Sequence, residues 1–180
     1  YWNFDDKTGS NASEYTGSYN GTLNNMVAGN WDTSAPSLGS SALIFNNADT
    51  NDYVSFSGLT LGTTHSLSFW FKPNTGSTAG SYLFYDEAGN KGIKYNTSAN
   101  QKLNYYYSGT DHYNNTAFAE DGTWHYIAIV CNAGAVTFYV DGVADGTATS
   151  ALGYSPTRIG NIADGSLAFK GELDDFRVFN

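Results

Sequence analysis

The chain has 180 residues, 41% of them apolar, which suits one domain with its own core. A formal net charge of −9 and a pI near 4.4 exclude nucleic acid as a partner, because phosphate binding needs clustered Lys and Arg and only eight are present. Nothing is long and apolar enough for a membrane span, and the lone Cys131 excludes an internal disulfide.

Twenty glycines, 14 tyrosines and few helix formers describe many strands joined by many turns. Apolar or alternating runs recur about every ten residues, the spacing of sandwiches and barrels. They fall at 42–46, 52–56, 66–72, 82–86, 92–95, 102–107, 123–131, 135–141, 157–160 and 171–179. Asp141-Gly142, Asp145-Gly146 and Asp164-Gly165 mark turns between them. No linker or repeat divides the chain, so 1–180 reads as one domain. Its abrupt opening at Tyr1-Trp2-Asn3-Phe4 reads as a module cut from a longer protein.

Alternation predicts which face each residue takes. Leu67, Phe69 and Phe71 share the core face, leaving Trp70 outside. Val136, Phe138 and Val140 form a second core set. In 102–107, Leu103 points inward with Tyr105 and Tyr107, so Lys102, Asn104 and Tyr106 point outward. Cys131, in Ala128-Ile129-Val130-Cys131, reads as a small core hydrophobe.

Several segments together resemble the laminin-G-like domains of the concanavalin A-like lectin/glucanase superfamily. They are Trp2-Asn3-Phe4-Asp5-Asp6, Asn20-Gly21-Thr22-Leu23, Ser41-Ala42-Leu43-Ile44-Phe45, Asp52-Tyr53-Val54 and Ser66 to Pro73. Thr123-Trp124-His125-Tyr126, Val136 to Gly142 and Gly171-Glu172-Leu173-Asp174-Asp175-Phe176 complete the set. The resemblance implies an all-β jelly roll of two antiparallel sheets, one concave, in a secreted or cell-surface protein. The family's Asp-x-Ser-Gly loop is replaced by Glu14-Tyr15-Thr16-Gly17, so any role of that Asp passes to Glu14 or is lost.

Glucan-cleaving members carry three acids alternating on one strand, where nucleophile and acid/base flank one glycosidic bond. The best match, Glu172-Leu173-Asp174-Asp175-Phe176, has Phe176 at the third position, and Asp86-Glu87 would point to opposite faces. His65, His112 and His125 are scattered without metal-ligand spacing. The expected function is therefore a non-catalytic carbohydrate-binding module that holds a larger protein on its polysaccharide. An adhesion or protein-interaction domain is the alternative.

Sugar recognition needs rings to stack on and amides or charges to meet hydroxyls. Tyr82, Lys94, Asn104 and Tyr106 are candidates for a platform on the concave face. Asp111, His112 and Tyr113, in a polar loop continuing through Asn114-Asn115, are candidates beside it. The competing reading is that these tyrosines are sheet packing and the loop a polar turn. The ligand is expected to be neutral rather than anionic, given the net charge. The resemblance sets the first and last strands side by side, gathering Asp5, Asp6, Glu14, Asp174 and Asp175. These are hard oxygen ligands suited to a structural Ca²⁺. Alternatively, Asp5 and Asp175 cap turns or pair with Lys7 or Arg177. The oxygen-rich segment 46–52 is a second candidate for calcium.

Overall fold

Period-two alternation of large apolar residues produces strands with one buried face, and two such sheets bury those faces against each other. The computed structural model describes residues 1–26, 30–34, 36–45, 52–77, 80–96, 100–107, 109–149, 153–162, 167 and 169–180. Among these there is no α-helix. Strands are numbered in chain order. The first sheet has eight, in the spatial order β1 (Asn11–Ala12), β2 (Gly21–Asn24), β5 (Tyr53–Ser55), β14 (Arg158–Ile159), β7 (Ser81–Asp86), β8 (Lys91–Asn96), β9 (Lys102–Tyr107) and β10 (Thr110–Tyr113). The second has seven, in the order β13 (Val143–Ala148), β12 (Ala135–Val140), β11 (His125–Asn132), β6 (His65–Pro73), β15 (Gly171–Phe179), β4 (Ala42–Phe45) and β3 (Trp31–Asp32). Pairing is antiparallel throughout, for example Leu67 with Ile129 and Leu173 with Phe71.

The core lies between the sheets and is largely aromatic. Phe69 and Phe176 stack at 4.9 Å, Phe84 from the opposite sheet meets Phe176 at 5.0 Å, and Trp2 packs on Phe56 at 4.8 Å. Leu67, Phe69, Phe71, Val136 and Phe138 are buried as the alternation predicts, while Val140 is half-buried against the core and Trp70 lies outside beside Tyr126. Cys131 is buried, and burial pushes its thiol up to about 11. The chain ends meet as expected: Trp2 and Phe176 exchange backbone hydrogen bonds of 2.9 and 2.7 Å.

Two bulges change which residues face the core. In β15 the register against β6 shifts between Asp174 and Arg177, with Asp175 at φ +49°. That extra residue lets Leu173 and Phe176, three apart, both point inward. In β7 the register against β8 shifts between Tyr82 and Phe84, so Phe84 faces the core while Tyr82 faces out. Uninterrupted alternation would have buried both together.

Candidate functional site

On β7 to β10, core residues set the phase and leave the other face for polar and aromatic groups. Ile93 and Tyr95 point inward on β8, so Gly92 and Lys94 point outward. Leu103 and Tyr105 do the same on β9, leaving Asn104 and Tyr106 outside. Two cross-strand rows result. One is Tyr82–Lys94–Asn104–Tyr113, and the next is Tyr85–Gly92–Tyr106–Asp111. Six of the seven expected residues thus share one surface.

The exception is His112. Residues 110–113 form edge strand β10 rather than a loop, and within it His112 pairs with Tyr105, whose side chain faces the core. Alternation therefore turns the imidazole away from the outer face. The loop expectation also fails at Asn114, which is buried and donates to Asp145 Oδ2 and to the Thr116 carbonyl.

The surface has a covered floor and a polar rim. Tyr82 is buried; its ring lies 4.2 Å from Tyr85 and its hydroxyl donates to Asn90 Oδ1 at 3.0 Å. Burial, reinforced by the charge of Asp111, holds its phenol well above the usual range. The Lys94 ammonium sits 3.2 Å from the Tyr106 ring centroid and 4.7 Å from that of Tyr82. Burial lowers its pKa, and the Asp111 carboxylate 4.0 Å away opposes that shift. Tyr113 donates to Asp111 Oδ2 at 3.0 Å.

Asn104 is fully buried, yet neither its amide nitrogen nor its amide oxygen makes a hydrogen bond among the described residues. A buried polar group without a partner is costly and uncommon. A primary amide offers two donors and an acceptor, and a sugar hydroxyl matches it because it both donates and accepts. Sequence reading missed Tyr85, which stands outward next to the core-facing Phe84, and Asn90, whose Oδ1 accepts from the Tyr82 hydroxyl.

The five carboxylates at the chain ends do not gather into one cluster: Asp6 and Glu14 are engaged apart from Asp5, Asp174 and Asp175. Asp6 accepts from the Ser13 amide and hydroxyl at 2.8 and 2.6 Å. Glu14 takes the N-terminal ammonium at 2.6 Å and the Thr16 hydroxyl at 2.5 Å; these donors outweigh its burial and hold it down at about 2. Asp175 pairs with Arg177 at 2.9 Å. Asp5 accepts from the Ser40 and Ser41 amides at 2.6 and 3.0 Å. Gly39 makes that loop possible: it sits at φ +68°, and a Cβ there would stand 2.5 Å from Asp5 Oδ2.

Asp174 differs from these. Its Oδ2 accepts from the Leu38 amide at 2.7 Å, while its buried Oδ1 has no hydrogen bond among the described residues. Asp5, Asp174 and Asp175 line one small cavity of about 70 Å³. Among the described residues, no group of three His, Cys, Asp or Glu side chains is arranged to hold a metal ion. A hard cation would therefore need Asp5 and Asp174 supplemented by backbone oxygen. Of the alternative segment 46–52, only Asp52 lies within the described residues, where it accepts from Asn30 at 3.0 Å.

A family model described as the concanavalin A-like lectin/glucanases superfamily matches residues 48–180. Domain 4 of AbnA, a GH43 extracellular arabinanase from Geobacillus stearothermophilus in complex with arabinotriose, superposes with a TM-score of 0.74. It is 22% identical, covering 99% of this chain and 90% of that one. The carbohydrate-binding module CBM66 from Bacillus subtilis superposes with a TM-score of 0.52 at 10% identity, over 83% of this chain and 91% of that one. A Trypanosoma rangeli sialidase in complex with the inhibitor DANA aligns with 96% of this chain at 11% identity and a TM-score of 0.67. This chain spans 29% of its length. No curated protein sequence matches.

Proposed function

The chain belongs to the concanavalin A-like lectin/glucanase superfamily, and from that membership we propose that it is a non-catalytic carbohydrate-binding module whose saccharide lies on the outer face of β7 to β10. The observation that carries this reading is Asn104, a fully buried amide with both polar atoms unmatched beneath Lys94 and Tyr106. Rings, amide and a cation–carboxylate pair are the groups that saccharide hydroxyls and apolar ring faces require. Lys94 covers one face of Tyr106, so it must swing aside for a sugar to reach Asn104. Its contact with Asp111 is a loose 4.0 Å, so the sugar would displace it chiefly from the rings of Tyr106 and Tyr82.

A catalytic reading fares poorly. Glu172 is tied to Lys72 at 2.6 Å, and with Asp174 it lies on the outer face of the other sheet, away from the platform. Phe176, where a third acid would stand, is in the core. The module is read as one part of a longer extracellular protein that it tethers to glycan. A structural Ca²⁺ is proposed at Asp5 and Asp174, supported by the unmatched Oδ1 of Asp174; bound there, it would supply positive charge to that cavity.

Affinity gel electrophoresis through arabinan, xylan, β-glucan and polygalacturonate tests the function. Wild-type protein should be retarded by at least one neutral polymer, and Tyr106→Ala should not. Equal mobility of both proteins in every gel would refute the reading.

A further inference from the structure

A second cavity opens on the same sheet, three strand spacings from Tyr106. The register runs Ser55–Arg158–Tyr85–Gly92–Tyr106, which puts Arg158 on the same outer row as the platform. The cavity, about 390 Å³, is lined by Ser55, Phe56, Glu87, Ala88, Thr157 and Arg158. Its guanidinium rests on the Tyr53 ring at 4.5 Å and donates through Nη2 to Glu87 Oε2 at 2.8 Å. Arg158 Nη1 and Thr157 Oγ1 are both buried without a hydrogen bond among the described residues. Two unmatched donors thus belong to residues that line an open cavity beside an aromatic ring.

We propose that this cavity is a second saccharide station, so that the outer face takes a linear neutral saccharide running across the strands, from Arg158 on β14 to Tyr106 on β9. The proposal rests on the platform reading above and extends it. Three spacings amount to about 14 Å, longer than one sugar ring and within reach of a short oligosaccharide. Gly92 lies in the row between the stations and presents no side chain to obstruct the chain; a Cβ there would collide with the Phe84 carbonyl. Neutrality follows from charge pairing. Arg158 is matched by Glu87 and Lys94 by Asp111, so neither cation is left to attract an anion. Hydroxyls suit such pairs because they donate to the carboxylate and accept from the cation.

Titration calorimetry with arabino-, xylo- and cello-oligosaccharides, from disaccharide to hexasaccharide, tests this. Affinity should rise with length in the series that binds. Arg158→Gln should then cost the hexasaccharide about tenfold and the disaccharide under twofold. Glu87 is half exposed, so Glu87→Gln provides a second variant that keeps the fold and should show the same length dependence. If both variants bind the hexasaccharide like wild type while Tyr106→Ala does not, the second station is refuted and the platform stands. If Tyr106→Ala also binds normally, or no series binds, the platform falls with it. Preference for galacturonate oligomers over all three neutral series would overturn the neutral class.

Discussion

Replacing Asn104 by Leu should make the protein more stable and unable to bind. The side chain is fully buried, its amide nitrogen and oxygen are both unmatched, and it stands opposite Lys94 on β8 and Tyr113 on β10. Burying a polar group without a partner costs about 1–3 kcal/mol, and an apolar group of similar shape removes that cost. For a domain of this size each kcal/mol shifts the melting temperature by about 2–4 °C. Asn104→Leu should therefore raise the midpoint by about 2–12 °C in calorimetry, and urea denaturation should show a higher midpoint at unchanged slope. In parallel, the retardation seen in the gels should vanish. A stability gain coupled to a binding loss marks an amide held for a ligand. If Asn104→Leu lowers the melting temperature, the amide is matched within the free protein and the reasoning is wrong. If stability rises but binding persists, Asn104 plays no part in recognition.

The phase of β9 is tested by a neighbouring pair. Tyr105→Ala, which empties a buried site beside His65 and Tyr154, should cost about 3–5 kcal/mol of stability; Tyr106→Ala should cost little stability but weaken saccharide binding by about 1–3 kcal/mol. Reversed effects would mean the strand is a residue out of register. Burial raises the Asp174 carboxyl to about 6, so between about pH 4 and 6 the folded state keeps a proton that the unfolded chain has lost. Stability should fall across that window by up to about 3 kcal/mol, and a flat profile for Asp174→Asn in pH-dependent urea melts would confirm the source. If calcium sits at Asp5 and Asp174, a chelator should lower the melting temperature of wild type but not of Asp174→Asn. An unchanged wild-type curve would remove the ion from the account. Phe69→Ala should destabilise by about 3–5 kcal/mol, since its ring stacks on Phe176 between the sheets; a loss below about 1 kcal/mol would contradict its core position.

The sequence by itself determined an all-β chain of many short strands, because alternation is a local signal and large apolar residues tolerate few positions; the choice of two sheets in a jelly roll followed from the family resemblance. Leu67, Phe69 and Phe71 name the buried face of β6 unaided, and Leu103 correctly turns Tyr106 outward. Lys94, Asn104 and Tyr106 became neighbours through plain cross-strand register, which alternation within each strand can anticipate. Only the tertiary structure decided what depends on register slips and on contacts between distant segments. The bulge in β7 brings Tyr82 to the outer face, and the bulge at Asp175 lets Phe176 rejoin the core; neither leaves a periodic signature. His112 was misplaced because a four-residue edge strand rich in polar groups is indistinguishable from a loop until its partner is known. The resemblance implied one cluster of carboxylates at the chain ends, yet Asp6 and Glu14 are taken by Ser13, Thr16 and the N-terminal ammonium. Arg158 drew no attention in a short run near the end of the chain. Pairing of β14 between β5 and β7, about seventy residues or more away in sequence, sets it beside Tyr53 and Glu87, and no local pattern encodes such a contact.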